Sequence, residues 1–265
     1  MLEIFLAVIS GGAVGFTLGL IGGGGSILAT PLMLYVVGLK PHEAIGTGAL
    51  AVSANAFANF FGHARKGNVR WRSAIIFAIL GIAGATAGST LGKVVNGNKL
   101  IFLFAILMIV VGVLMLRRRP PTAEQLAQSH ETEHLTPKLL ALVSIAALVV
   151  GALSGFFGIG GGFLIVPGLL FSTGMPMIFA IGSSLLSVGT FGLTTAVNYS
   201  VSGFVDWRVA IEFIGGGVAG GLLGTKLAVF LAPRRAALNR VFAGLVFIVA
   251  IYMLYRNAAS FGMHF

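Results

Sequence analysis

Cysteine is missing from the sequence altogether, which removes disulfides and thiolate metal sites and leaves the redox compartment open. Charge is scarce too: Asp, Glu, Lys and Arg make up 9% of the residues, while 57% are hydrophobic and mean hydropathy is +1.01. A water-soluble domain of 265 residues needs far more polar surface than this. Apolar runs of about 17–25 residues, the span of a bilayer core, follow one another almost without pause. Strict alternation of apolar and polar residues is absent, which excludes a transmembrane barrel. The fold class expected is an all-α polytopic membrane protein in the cell membrane. Its N-terminus, "MLEIF", has an acidic residue where a signal peptide carries positive charge, so no cleavable signal is expected.

Acidic residues are the rarer charge, 7 against 17 basic ones, for a net charge of +10. The basic residues sit in short loops between apolar runs, which reads as membrane topology and not as a nucleic-acid surface. The partners expected are the bilayer and a small anion; nothing in the sequence addresses oligomeric state.

What the chain has in excess is glycine, 39 residues, and the glycines expose a repeat. "GFTLGLIGGGGSILATPLML" from Gly15 aligns with "GALSGFFGIGGGFLIVPGLL" from Gly151, a shift of 136 positions. At that shift Gly22 meets Gly158, Gly24 meets Gly160 and Pro31 meets Pro167, while "AIG" at Ala44 meets "AIG" at Ala180. "GNVRWR" at Gly67 meets "GFVDWR" at Gly203, so Trp71 and Trp207 are one position used twice. The expected organisation is a first repeat over 1–116, a polar cytoplasmic linker over 117–138 and a second repeat over 139–265. Each repeat carries five apolar segments, the second of them, near 27–37 and 163–172, too short to span unaided.

An odd number of crossings per half inverts the second half, and an even number keeps the halves parallel. Odd crossings put 12 basic residues inside and 5 outside, while even crossings give 10 and 7. The positive-inside rule therefore favours inverted-topology repeats.

Glycine-broken helices at matching places in inverted halves point to a transporter's substrate site. Unwound backbone is tolerated at membrane depth where it is buried in protein or lines a cavity, and a helix that restarts after a break presents free N–H groups to an anion. The expected binding groups are Gly22, Gly23, Gly24, Gly25 and Ser26 in the first break, and Gly158, Gly160, Gly161 and Gly162 in the second. Glycine suits these positions because a side chain would block close approach and positive φ. The third segments add polar groups at helical spacing: Thr47, Asn55 and Asn59 in one half, and Ser183, Ser184, Ser187 and Thr190, continued by Thr194 and Asn198, in the other. By contrast Gly84, Gly88, Gly92 and Gly216, Gly220, Gly224 recur every fourth residue and read as packing seams. Neither glycine run is closed by Lys-Ser/Thr and neither follows a strand, so nucleotide-binding readings fail; no cofactor is expected.

The twice-used glycine-rich segment ending in Pro, the "AIGT" and "AIGS" starts of the third segments and the G-x-V-x-W loops together resemble the sulfite exporter TauE/SafE family across the chain, the linker and tails excepted. The resemblance implies transport of small sulfur-containing anions such as sulfite, sulfonates or sulfoacetate. Ile159 interrupts the second glycine run where Gly23 continues the first, so the two half-sites are not equivalent.

A rival chemistry is written at "HETEH", His130 to His134, which matches the H-E-x-x-H pattern of zinc proteases. It lies in the polar linker, outside any apolar segment, and is expected to be solvated and metal-free; the chain is not expected to be an enzyme. No carboxylate lies in the middle of an apolar segment, so a proton relay has no obvious carrier. An inside-negative potential favours anion exit by about 2.3 kcal/mol per charge per 100 mV, which makes export the expected direction. Proton-coupled uptake is the alternative.

Overall fold

A computed structural model describes residues 2–21, 23–117, 137–160, 162–175, 177–230 and 235–257. Gly22, Gly161 and the linker motif His130–His134 lie outside the described residues. The described chain is helical throughout: α1 (Leu2–Ile21), α2 (Ala29–Leu32, entered by a 3-10 stretch Gly23–Leu28 and continued as a π-helix Met33–Val37), α3 (Pro41–Arg65), α4 (Trp71–Val94) and α5 (Gly97–Arg117), then α6 (Pro137–Phe157), α7 (Gly162–Thr173), α8 (Met177–Val201), α9 (Trp207–Phe230) and α10 (Arg235–Asn257). Six of these are long and apolar enough to cross a membrane. Large apolar side chains such as Phe5, Ile79, Leu91, Ile145, Ile211 and Leu222 point outward, as a lipid-facing surface requires.

The G-x-V-x-W motif is a helix–turn–helix written twice. Gly67 and Gly203 take positive φ, +70° and +75°, and close α3 and α8. The next residue in each case donates its N–H five residues back, Asn68 to His63 and Phe204 to Tyr199, while the glycines donate to Ala64 and Ser200. That pair of bonds is a Schellman cap and satisfies carbonyls the helix end leaves open. Trp71 and Trp207 then open α4 and α9, half exposed, in the place an interfacial aromatic belt would hold them.

Glycine seams hold the helices together. A Cβ on Gly84, Gly88 or Gly92 would collide with the backbone of Leu148, Ala152 or Phe156 on α6, and one on Gly216, Gly220 or Gly224 with Val8, Gly12 or Phe16 on α1. Lipid tails are as apolar as the helices, so association rests on close packing, which small residues allow. The seams also fix direction. Residue numbers rise together along α1 and α9 (Gly11 on Phe213, Gly15 on Gly217, Gly19 on Gly221) and along α4 and α6, so each pair is parallel.

The third helices run the other way. Gly46 lies against Tyr199, Gly189 against Phe57 and Gly182 against His63, so α3 and its twin α8 are antiparallel. α3 is parallel to α9, with Thr47 at Asp206, Asn55 at Gly217 and Asn59 at Gly221. Hence α1 and α3 point the same way, and the short segment between them carries the chain back.

Candidate functional site

One face of α3 gathers the groups of interest. Gly48, Val52, Asn55 and Asn59 are spaced by four, three and four residues, one helical face. Gly48 faces the Thr30 hydroxyl at 3.8 Å, measured from where its Cβ would stand. Val52 and its twin Val188 on α8 both close on Gly160, at 2.8 and 3.3 Å on the same measure. Asn55 and Asn59 then lie on the α9 backbone at Gly217 and Gly221. The second break thus sits at the crossing of α3 and α8, and α7 packs against the 3-10 stretch of the first break.

Three buried residues in this region have side-chain groups without a partner among the described residues: the Thr30 hydroxyl, the Ser187 hydroxyl next to Val188, and both amide atoms of Asn55. Each of these residues is fully buried. An unpaired buried polar group costs about 1–3 kcal/mol, and native structures carry few. Buried groups kept at that cost, on α2, α3 and α8 around the helix breaks, are candidates for a polar ligand to satisfy.

The two breaks are built differently. Gly158 and Gly160 have φ of +65° and +62°, as a chain reversal between α6 and α7 needs. Gly25, expected to need positive φ as well, lies outside that region, in the 3-10 stretch. Its constraint is contact: a Cβ there would collide with the backbone of Thr17 and Leu18 on α1. The 3-10 path tightens the chain after α1 without leaving ordinary φ. Gly23 and Gly24 share that stretch, Ser26 is fully buried within it, and Gly162 opens α7.

Several expected site residues are engaged elsewhere. Thr47 accepts the backbone N–H of Asp206 at 2.9 Å, and its twin Ser183 accepts that of Arg70 at 2.9 Å. Positions 70 and 206 are themselves twins, so each hydroxyl binds the approach to a helix of the other half. Ser184, Thr190 and Thr194 bond back to carbonyls of their own helix. Asn198 donates to Ser89 and Thr90, and with Ser202 it accepts all three bonds of the Lys93 ammonium, at 2.7–3.0 Å. Asn59 donates to the Asn55 carbonyl at 2.8 Å and receives the Thr225 hydroxyl at 3.5 Å. On α8, then, Ser183 and Asn198 tie the helix to other elements and Ser184, Thr190 and Thr194 bond within it, while Ser187 and Asn55 keep free capacity. Thr30 was not among the residues expected; its one signal is a hydroxyl five residues past a glycine run, where its twin is Val166.

The model of the sulfite exporter TauE/SafE family matches residues 7–253. The chain belongs to that family. A protein of Xylella fastidiosa strain 9a5c named "Probable membrane transporter protein" is 56% identical over 261 residues, 97% of each chain. The similarly named YunE of Bacillus subtilis strain 168 is 30% identical, over 84% of this chain and 88% of its own. MJ0441 of Methanocaldococcus jannaschii, also named a probable membrane transporter protein, is 27% identical over 79% of this chain and 74% of its own. No solved structure matches this chain. This TauE/SafE protein is thus a multi-pass transporter of the plasma membrane and not an enzyme.

Proposed function

We propose that this TauE/SafE protein exports small sulfur-containing oxyanions of the sulfite, sulfonate or sulfoacetate type, held by backbone N–H groups of the two glycine breaks. The observation that carries the reading is the α3 face along which Thr30 (at Gly48), Gly160 (at Val52) and Asn55 are ranged, with the Thr30 hydroxyl and the Asn55 amide left unsatisfied. Neutral N–H, hydroxyl and amide groups suit an anion that must leave again, because a buried lysine or arginine would hold it too strongly to release.

The antiparallel course of the twins α3 and α8 supports inverted halves over 1–116 and 139–265, joined by the linker 117–138. In such an arrangement rocking one half against the other exposes a central site to either side in turn. Direction follows from charge. The described acidic residues Glu3, Glu43, Asp206 and Glu212 all lie before or within the first two turns of their helices, which leaves the core without a carboxylate relay. Outward movement of an anion is driven by the membrane potential alone.

A binding screen of the purified protein against sulfite, sulfoacetate, methanesulfonate, phosphate and acetate tests this reading. Saturable binding of the sulfur oxyanions, weakened by Thr30→Val, is expected. Binding of acetate or phosphate in preference to every sulfur oxyanion contradicts the substrate assignment.

A further inference from the structure

The two halves present different groups at one position. Position 55 is asparagine, and its twin 191 is phenylalanine. Gly217 on α9 and its twin Gly81 on α4 receive them: a Cβ on Gly217 would strike the Asn55 amide, and one on Gly81 the Phe191 ring. Phe191 completes its site, fully buried and stacked on Phe77 with ring centroids 6.2 Å apart. Asn55 is equally buried, yet its Nδ2 and Oδ1 both lack a partner among the described residues. Turning the amide over exchanges the two atoms and leaves both unsatisfied, so the point is independent of how the amide is assigned. One turn on, Asn59 is satisfied through the Asn55 carbonyl and Thr225. The unmet capacity is thus one donor atom, Nδ2, and one acceptor atom, Oδ1, in a single group.

A carboxamide of this kind discriminates between forms of an oxyanion. A fully deprotonated oxyanion only accepts; it would satisfy Nδ2 and leave Oδ1 unpaired beside negative charge in a dry site. An oxyanion that keeps one proton satisfies both, its O–H donating to Oδ1 while another oxygen accepts from Nδ2. We propose that Asn55 makes the site selective for a hydrogen-bearing monoanion, the hydrogensulfite form of sulfite in preference to the dianion and to sulfonates. This rests on reading the Gly48–Asn59 face of α3 as the substrate path.

The selection acts on the proton of the substrate, since no described titratable side chain hydrogen-bonds to Asn55. α9 presents Gly217 there; its Arg208 and Glu212 pair with each other at 3.2 Å near the helix start, and Lys226 lies nine positions further on. α3 carries His42, Glu43, His63 and Arg65, the nearest about two turns away. The neighbouring segments add Glu3 on α1, Tyr35 beyond α2 and Tyr199 on α8.

The test is calorimetric titration of the purified protein with sulfite over a pH series that spans its second ionisation. Methanesulfonate, which carries no proton in that range, is the control for titration of the protein itself. Sulfite affinity is expected to fall about tenfold per pH unit above that ionisation, 1.4 kcal/mol per unit, with methanesulfonate weaker and flat. Asn55→Leu is expected to remove the step. A flat or rising sulfite affinity in the unmodified protein, a parallel fall for methanesulfonate, or a step retained in Asn55→Leu overturns the proposal and leaves the proposed function standing. Failure of every oxyanion to bind at any pH overturns both. Should Asn55→Leu not fold, the unmodified protein with its methanesulfonate control decides.

Discussion

Ser53 donates its hydroxyl to the backbone carbonyl of Gly189 at 2.7 Å, and the two residues are the same position of the two repeats. The bond ties α3 directly to α8 where the two helices pack against each other. Val52 and Val188, one residue away on each helix, are the pair that closes on Gly160. Removing the hydroxyl in Ser53→Ala should cost about 0.6 kcal/mol and no more than about 1.7, the range for interhelical hydrogen bonds in membranes. Unfolding in mixed micelles measures this, and a larger loss would mean that the crossing depends on more than this bond.

Adjacent glycines on α9 should respond oppositely to the same change. A Cβ on Gly215 meets nothing within 4 Å, whereas one on Gly216 would collide with the Val8 carbonyl of α1. Gly215→Ala should raise stability by about 0.5–1 kcal/mol, the helical advantage of alanine. Gly216→Ala should lower it by about 1–3 kcal/mol through overpacking. Melting temperatures of the two variants compare them directly, and equal shifts would contradict the packing of α1 on α9.

The second break offers a sharper lesion. At Gly160 an alanine would suffer both a φ of +62° and contact with Val52, at 2.8 Å from the Cβ. The backbone strain alone is about 1–3 kcal/mol. Gly160→Ala should therefore lower the melting temperature and abolish transport together, and the two read side by side in purified protein check this. Normal transport in a destabilised variant would place the substrate path away from this break.

Much of this architecture was legible before any coordinates. The run of apolar helices and the two glycine ladders follow from local pattern, because helix period and small-residue spacing are written in neighbouring residues. The polar stripes were harder. Thr47 and Ser183 look like pathway groups along their own helices, yet each spends its oxygen on a backbone N–H more than 100 residues away. Nothing local encodes such a bond. Thr30 was missed for the converse reason, since a lone hydroxyl in an apolar segment shows its lack of a partner only once its neighbours are placed. The first break likewise looked like the second, and the 3-10 path that Gly25 takes over α1 depends on a contact outside the motif.

Asn55 should show opposite signs in stability and function. Its amide is buried and unpaired, so Asn55→Leu removes a desolvation cost of about 1–3 kcal/mol and should raise the melting temperature. The same change should lower transport of sulfite. Thermal unfolding and flux measured on one preparation check both signs, and a variant that loses stability and keeps transport would make Asn55 a packing residue.

The most direct measurement is sulfite flux from loaded proteoliposomes with the membrane potential set by a potassium gradient and valinomycin. An inside-negative potential should drive sulfite out, by about 2.3 kcal/mol per charge per 100 mV, with no imposed proton gradient and no proton moving beyond the one hydrogensulfite itself carries, and Gly160→Ala proteoliposomes should show no flux. Sulfite that stays inside under that potential, or that moves inward only when a proton gradient is imposed, would contradict export through this site.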